Sequence, residues 1–160
     1  MEEEIPPRFT VPLIETEAAL DRALGEPSHE LVQHLRDWRG DLVILGAGGK
    51  IGPSLSSLAR NALAAAGKDV RVIAVDLFPE PSVRHSLEAV GVETIGCDLL
   101  ARDALDQLPD APNVVFMAGR KFGSTGGEPL TWALNVYLPA LVADRYRKTR
   151  IVVFSSGNLY

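Results

Sequence analysis

"DLVILGAGGKIGPSLSSLAR", Asp41 to Arg60, decides the fold. An apolar run, Leu42 to Leu45, ends in Gly46-Ala47-Gly48-Gly49-Lys50-Ile51-Gly52 and then passes into a helical stretch through Ala66. Strand, glycine-rich turn and helix in that order form the setting of a phosphate-binding turn. Glycine there opens backbone angles closed to other residues and lets the chain approach a pyrophosphate. The free N–H groups and positive end of the helix then stabilise the ligand's charge. Pro53 suits the first helical turn, where its missing N–H is not needed. The glycines follow G-x-x-G-x-x-G at Gly46, Gly49 and Gly52; G-x-G-x-x-G fails because Ile51 stands in the place of its last glycine. The alternative is a tight turn that holds no ligand.

Outward from this stretch, short apolar strands alternate with longer helical segments. The expected strands are 42–45, 70–75, 92–95, 114–117 and 151–154. Such alternation predicts a parallel sheet with helices on both faces. Before Gly40 the pattern differs: Thr16 to Leu24 and Ser28 to Trp38 read as short helices. Leu20 and Leu24 are four apart, Leu31, Leu35 and Trp38 share a face, and Ser28 can cap after Pro27. The chain thus divides into a helical N-terminal extension, 1–40, and a nucleotide-binding domain, 41–160. "RKFGSTGGEP", Arg120 to Pro129, reads as a loosely held loop after the fourth strand.

A chain of 160 residues with 46% hydrophobic content can bury one core. Its net charge of -5 argues against nucleic acid as a partner, because phosphate-backbone binding needs clustered Lys and Arg. Met1 to Pro12 is acidic and proline-containing, with neither a secretory leader nor a membrane span, so a cytoplasmic protein is expected. Cys97 stands alone, which excludes an internal disulfide and argues against a cysteine-based metal site; a buried strand-end residue is expected. His29, His34 and His85 have no neighbour at metal-ligand spacing, so no metal is expected.

Asp76 closes the second expected strand, 76 − 46 = 30 residues after the first glycine. A carboxylate there accepts hydrogen bonds from ribose hydroxyls and repels the extra phosphate of NADP, which favours NAD. Lys50 and Arg84, each able to reach a 2′-phosphate, keep NADP open. A solvated strand-end acid is the alternative for Asp76. Asp98, in "GCDLL", closes the third strand and can face the adenine.

Together, "GAGGKIG", "AVD", "CDL", "VVFMAG", "WALNVYLPA" and "VFSSGNLY" occur in the order of the NAD-dependent epimerase/dehydratase family, the extended short-chain dehydrogenase/reductases. From Asp41 to Tyr160 the chain resembles the amino-terminal part of that family; residues 1–40 are not covered. The resemblance implies a Rossmann doubly wound sheet in strand order 3-2-1-4-5, with NAD across the carboxyl ends of the strands. It implies an oxidoreductase that transfers hydride at a sugar-like carbon of a small-molecule substrate, often a nucleotide sugar, and it leaves a homodimer open. The cofactor set it implies is the turn residues Gly46, Gly48, Gly49, Lys50, Ile51 and Gly52. With them go Asp76, Asp98 and Leu99, and Ala118 and Gly119 beside the nicotinamide half.

The family's chemistry uses a Ser or Thr after the fifth strand and a Tyr-x-x-x-Lys pair. Ser156 matches the hydroxyl, which can donate to the oxygen of the reacting carbon. Tyr160 resembles the family's structural tyrosine after the serine loop. Four residues beyond Tyr137 and Tyr146 stand Leu141 and Arg150, and arginine holds its proton too firmly to replace lysine. The expectation is a chain that stops before its proton-transfer pair, with "IVVFSS" left as an apolar edge prone to self-pairing.

Pro139 offers no N–H to the residue four before it, 139 − 4 = 135, so the Asn135 carbonyl can hold a water of the proton relay. Alternatively Pro139 kinks the helix or lies in its first turn. Arg120 and Lys121 can meet a substrate phosphate or form a solvated pair, and Trp132 with Val136 is expected in the core. Two functions stay open: the cofactor half of an epimerase, dehydratase or reductase, and a non-catalytic NAD(P)-sensing module.

Overall fold

A computed structural model describes residues 13–120 and 126–155. Five parallel strands form one sheet: β1 (Leu42–Leu45), β2 (Val72–Asp76), β3 (Glu93–Gly96), β4 (Asn113–Phe116) and β5 (Arg150–Val153). Their order is β3-β2-β1-β4-β5, as expected. β1 matches its expected range, and the other four are displaced by one or two residues. Ladder pairing sets these ends: Leu42 pairs with Asn113, and Asn113 with Arg150, drawing in polar residues that an apolar run leaves out.

Alternate side chains of the central strands go to opposite faces. Val43, Leu45, Ile73, Val75, Val114 and Phe116 build one core cluster, closed by Leu138, Val142 and Tyr146. Leu42, Ile44, Val72 and Ala74 build the other, with Leu63, Phe78 and Leu87. Helices α3 (Gly52–Ala65) and α4 (Pro81–Ala89) therefore cover one face, and α6 (Leu138–Arg145) the other.

The segment before β1 has the two expected helices. In α1 (Glu17–Leu24) the Thr16 hydroxyl accepts from the Ala19 N–H at 3.1 Å, and in α2 (His29–His34) the Ser28 hydroxyl accepts from Leu31 at 3.2 Å. A 3-10 turn, Leu35–Asp37, comes next, and Leu35 and Trp38 pack on the second cluster. The Leu20 and Leu24 side chains of α1 are exposed. Asn61 of α3 donates to the Gly25 carbonyl at 2.9 Å, and buried Asn113 donates to the carbonyls of Arg39 at 3.0 Å and Asp41 at 3.3 Å.

Between α5 (Glu128–Trp132) and α6 lies one π-helical turn, Ala133–Tyr137, and Pro139 falls in the first turn of α6. Trp132 and Val136 are not core residues: they are 67% and 54% exposed. Leu138, Val142 and Tyr146, four apart, set the buried face, and Val136 stands about 200° from Leu138 around the axis. At the sheet's margin Val152, Val153 and Phe154 are exposed, giving the apolar edge expected for β5. Among the described residues no helix is long and apolar enough to cross a membrane.

Candidate nucleotide site

The turn after β1 is pinned to its neighbours by backbone. Gly46 and Ala47 donate to the Val75 carbonyl at 2.9 and 3.2 Å, and Met117 donates to Leu45 at 2.9 Å. Gly46 has a left-handed φ of +88°, and a Cβ on it would lie 2.4 Å from the Ala118 nitrogen. A Cβ on Gly52 would lie 2.1 Å from the Ala47 carbonyl oxygen. Both glycines are thus demanded by the fold itself. Gly49 is not: its Cβ would have no protein atom nearer than Gly46 O at 3.8 Å. Space of this kind beside a helix start admits a ligand's backbone-contacting group.

Helix α3 begins at that space with no side chain capping its N–H groups and no acid in its first turn. No acid of its own first turn therefore offsets its positive end. Lys50 and Ile51, in the turn just before it, are exposed. The G-x-x-G-x-x-G reading gave Gly48 no steric role, yet a Cβ there would lie 2.6 Å from Asp76 Oδ1. Only proximity in space reveals that constraint.

Asp76 ends β2 with its carboxylate at the mouth, where Oδ1 accepts from the Phe78 N–H at 3.3 Å. Phe78 has φ +48° and a buried ring, so core packing holds a backbone conformation that costs about 1–2 kcal/mol. Beyond β3, Asp98 is exposed and Oδ1 accepts from Leu100 N–H at 3.0 Å, while the Leu99 side chain turns into the core. Cys97 is half-buried, not buried as expected; burial, with the Asp98 charge adding, pushes its thiol up. The exposed edge position of β3 leaves it only partly covered.

Arg84 is engaged through its Nε by α4 and β3. Its Nε donates at 2.9 Å to both Glu88 Oε1 and Thr94 Oγ1, and Thr94 also donates to Glu88. The Thr94 hydroxyl first, then Arg84, hold the Glu88 carboxyl below its ordinary range.

After β4, Ala118 and Gly119 run beside the glycine turn, and the next residue is clamped. Asn135 Oδ1 accepts from the Arg120 N–H at 2.8 Å and Nδ2 donates to the Arg120 carbonyl at 2.8 Å. Sequence reading assigned Asn135 its backbone carbonyl and missed this side-chain role, for which local sequence carries no signal. Tyr146 is buried with its hydroxyl donating to Pro109 O at 3.2 Å, and burial pushes that hydroxyl up; Tyr137 is exposed. Ser156, Tyr160 and Lys121 lie outside the described residues. Among the described residues no three His, Cys, Asp or Glu side chains are grouped to hold a metal ion.

No protein-family model matches the sequence, and no curated protein matches it. Solved structures do. One is the ADP-L-glycero-D-manno-heptose-6-epimerase of Helicobacter pylori, 18% identical, with a TM-score of 0.64 over 75% of this chain and 40% of that one. The fold is Rossmann-like. A short-chain dehydrogenase/reductase superfamily protein from Agrobacterium tumefaciens, solved with bound NAD, is 22% identical, with a TM-score of 0.54 over 76% of this chain and 34% of that one. The chain thus covers less than half the length of either structure. In this Rossmann sheet the order reverses at β1, between β2 and β4, and the glycine turn, Asp76 and Ala118 gather at the carboxyl ends of those strands.

Proposed function

We propose that the chain is the NAD-binding part of an extended short-chain dehydrogenase/reductase, acting by hydride transfer on a sugar-like substrate such as a nucleotide sugar. The observation that carries this reading is the uncapped, acid-free start of α3, which opens beside unfilled space at Gly49 with the Asp76 carboxylate at the next strand end. The residues fit a dinucleotide. Gly46, Gly48 and Gly52 shape the turn, while Gly49, Lys50 and Ile51 line the pyrophosphate. Asp76 accepts from the adenosine ribose, and Asp98 and the Leu99 backbone face the adenine. Ala118 and Gly119 border the nicotinamide half. The Asp76 carboxylate, which would repel a 2′-phosphate, favours NAD over NADP.

Bound NAD would supply the hydride acceptor. The chain's own part is to orient it and to handle the proton: Ser156 donates to the oxygen of the reacting carbon, and the Asn135 carbonyl holds a relay water. The reading places the protein in the cytoplasm, with a small-molecule substrate and a second copy as partners.

Calorimetric titration with NAD, NADP and ADP tests it. NAD should saturate one site, NADP should bind at least about tenfold more weakly, and Asp76→Ala should erase the difference. Failure of both NAD and ADP to saturate would overturn the reading.

A further inference from the structure

Four cations crowd into "RYRKTR", Arg145 to Arg150, in a chain whose net charge is -5. They end α6 and open β5, and three of them, Arg145, Arg147 and Lys148, line a cavity of about 430 Å³ together with Asp110, Pro112 and Thr149. The cavity lies at the amino ends of β4 and β5, whereas the glycine turn follows the carboxyl end of β1, at the other end of the sheet. Its volume falls within the range of small-molecule sites, about 300–1,000 Å³.

The ordinary role of cations after a helix is to answer its last carbonyls. Arg147 does so: Nε donates to Asp144 O at 3.3 Å, and Nη2 pairs with the Asp144 carboxylate. Arg145 is used differently. Its guanidinium lies 4.8 Å from the centre of the Tyr146 ring and donates to Leu105 O at 3.0 Å, Leu108 O at 2.8 Å and Asp110 Oδ1 at 2.7 Å. With its side chain only 19% exposed it is a fixed cation, and these bonds use three of its five N–H groups. The carboxylate it holds is almost wholly solvated, for the Asp110 side chain is 92% exposed. Lys148 is exposed as well, and among the described residues no carboxylate pairs with its ammonium.

We infer that this cavity is an anion site for the phosphate group of a small phosphorylated molecule, with Arg145 its fixed cation, Arg147 and Lys148 its further charges, and the Asp110 carboxylate the group that the phosphate displaces. At Arg145 the exchange is like for like: a carboxylate leaves a forked guanidinium and a phosphate takes its place. The phosphate brings a second negative charge and a third acceptor oxygen, which answer Arg147 and Lys148. Displacing Asp110 costs little, because an ion pair with one partner in water contributes little. The site is separate from the nucleotide site and does not depend on it.

The test is a titration with inorganic phosphate, followed through backbone amide NMR signals against sodium chloride at matched ionic strength. Phosphate should shift the Lys148 and Thr149 amides saturably, and chloride should not. Asp110→Ala, which frees Arg145 of its competitor, should bind phosphate at least about threefold more tightly, and Lys148→Ala at least about threefold more weakly. Both replaced side chains are exposed, so neither substitution should disturb the fold. The start of α3 also offers N–H groups to phosphate, so Gly49 is read in the same spectra, and its response should follow neither substitution. Shifts confined to the glycine turn, shifts that chloride reproduces, an Asp110→Ala variant that binds no more tightly than wild type, or a Lys148→Ala variant that binds equally well would each overturn the inference.

Discussion

The Asp76 carboxylate stands against the Gly48 backbone, so closely that a Cβ on Gly48 would lie 2.6 Å from Oδ1 and 3.2 Å from the Asp76 Cβ. Gly48→Ala must turn that carboxylate away from the ribose and from the Phe78 N–H. NAD affinity should fall by about tenfold or more, about 1.4 kcal/mol, with a modest drop in melting temperature. Gly49→Ala separates the two effects. Its added methyl meets no protein atom within 3.4 Å, so melting should be unchanged while NAD binding still weakens. Thermal melts and NAD titrations of both variants check the pair.

Gly52→Ala and Gly46→Ala should damage the fold instead. At Gly52 the new methyl would stand 2.1 Å from the Ala47 carbonyl oxygen, and relieving this by moving α3 costs about 1–3 kcal/mol. Gly46 adds a left-handed φ to its clash with Ala118, and about 1–2 kcal/mol more. Gly67 also has a left-handed φ, with nothing within 4 Å, so Gly67→Ala isolates that conformational cost. Urea denaturation should rank the losses Gly46, then Gly52, then Gly67.

At the opposite end of the sheet, Asp41 accepts from the Arg71 backbone and side chain, both at 2.8 Å. Burial acts to raise the Asp41 carboxyl, but the Arg71 backbone N–H, its side-chain hydrogen bond and its charge outweigh burial and hold it below the ordinary range. A folded value below the unfolded one, about 3.9, stabilises the fold above that pH. The contribution is lost as pH falls through the folded value. Wild type should therefore lose melting temperature more steeply than Arg71→Ala below about pH 4, and the two curves should run parallel from pH 6 to 8. The pair is half-exposed, so the gap should stay under about 1 kcal/mol.

Among the described residues β5 pairs with β4 on one side only, and Val152, Val153 and Phe154 are exposed. Such an edge templates pairing with another strand. The chain should self-associate as its concentration rises, and Val153→Lys should restore the monomer in sedimentation velocity. Monodisperse wild-type monomer at high concentration would count against it.

Where sequence spoke for the structure, it did so through local chemistry. Leu42 to Leu45 between Gly40 and the glycine turn read as a strand, and Ser28 announced its helix by capping it. The relationships that stayed hidden depend on residues far apart in the chain. Trp132 was expected inside because it shares a helical face with Val136, but both are exposed, and Leu134 is the residue of that turn that packs on the core. That β3 brings Thr94 beside the Arg84 Nε is likewise a matter of the fold and not of local sequence. The Asn135 amide reads a backbone fifteen residues away, through a helical turn whose pitch no local pattern encodes.

The change of pattern at Gly40 looks like a seam, and mechanically it is none. Asn113, inside β4, grips a carbonyl on either side of that glycine, and Asn61 reaches from α3 to Gly25. A chain trimmed to begin at residue 41 would keep every strand yet cost a buried amide one of its two carbonyl partners and bare the patch under Leu35 and Trp38. The helices ahead of β1 behave as a keel and not as a tag: anyone dissecting this protein into modules should cut elsewhere.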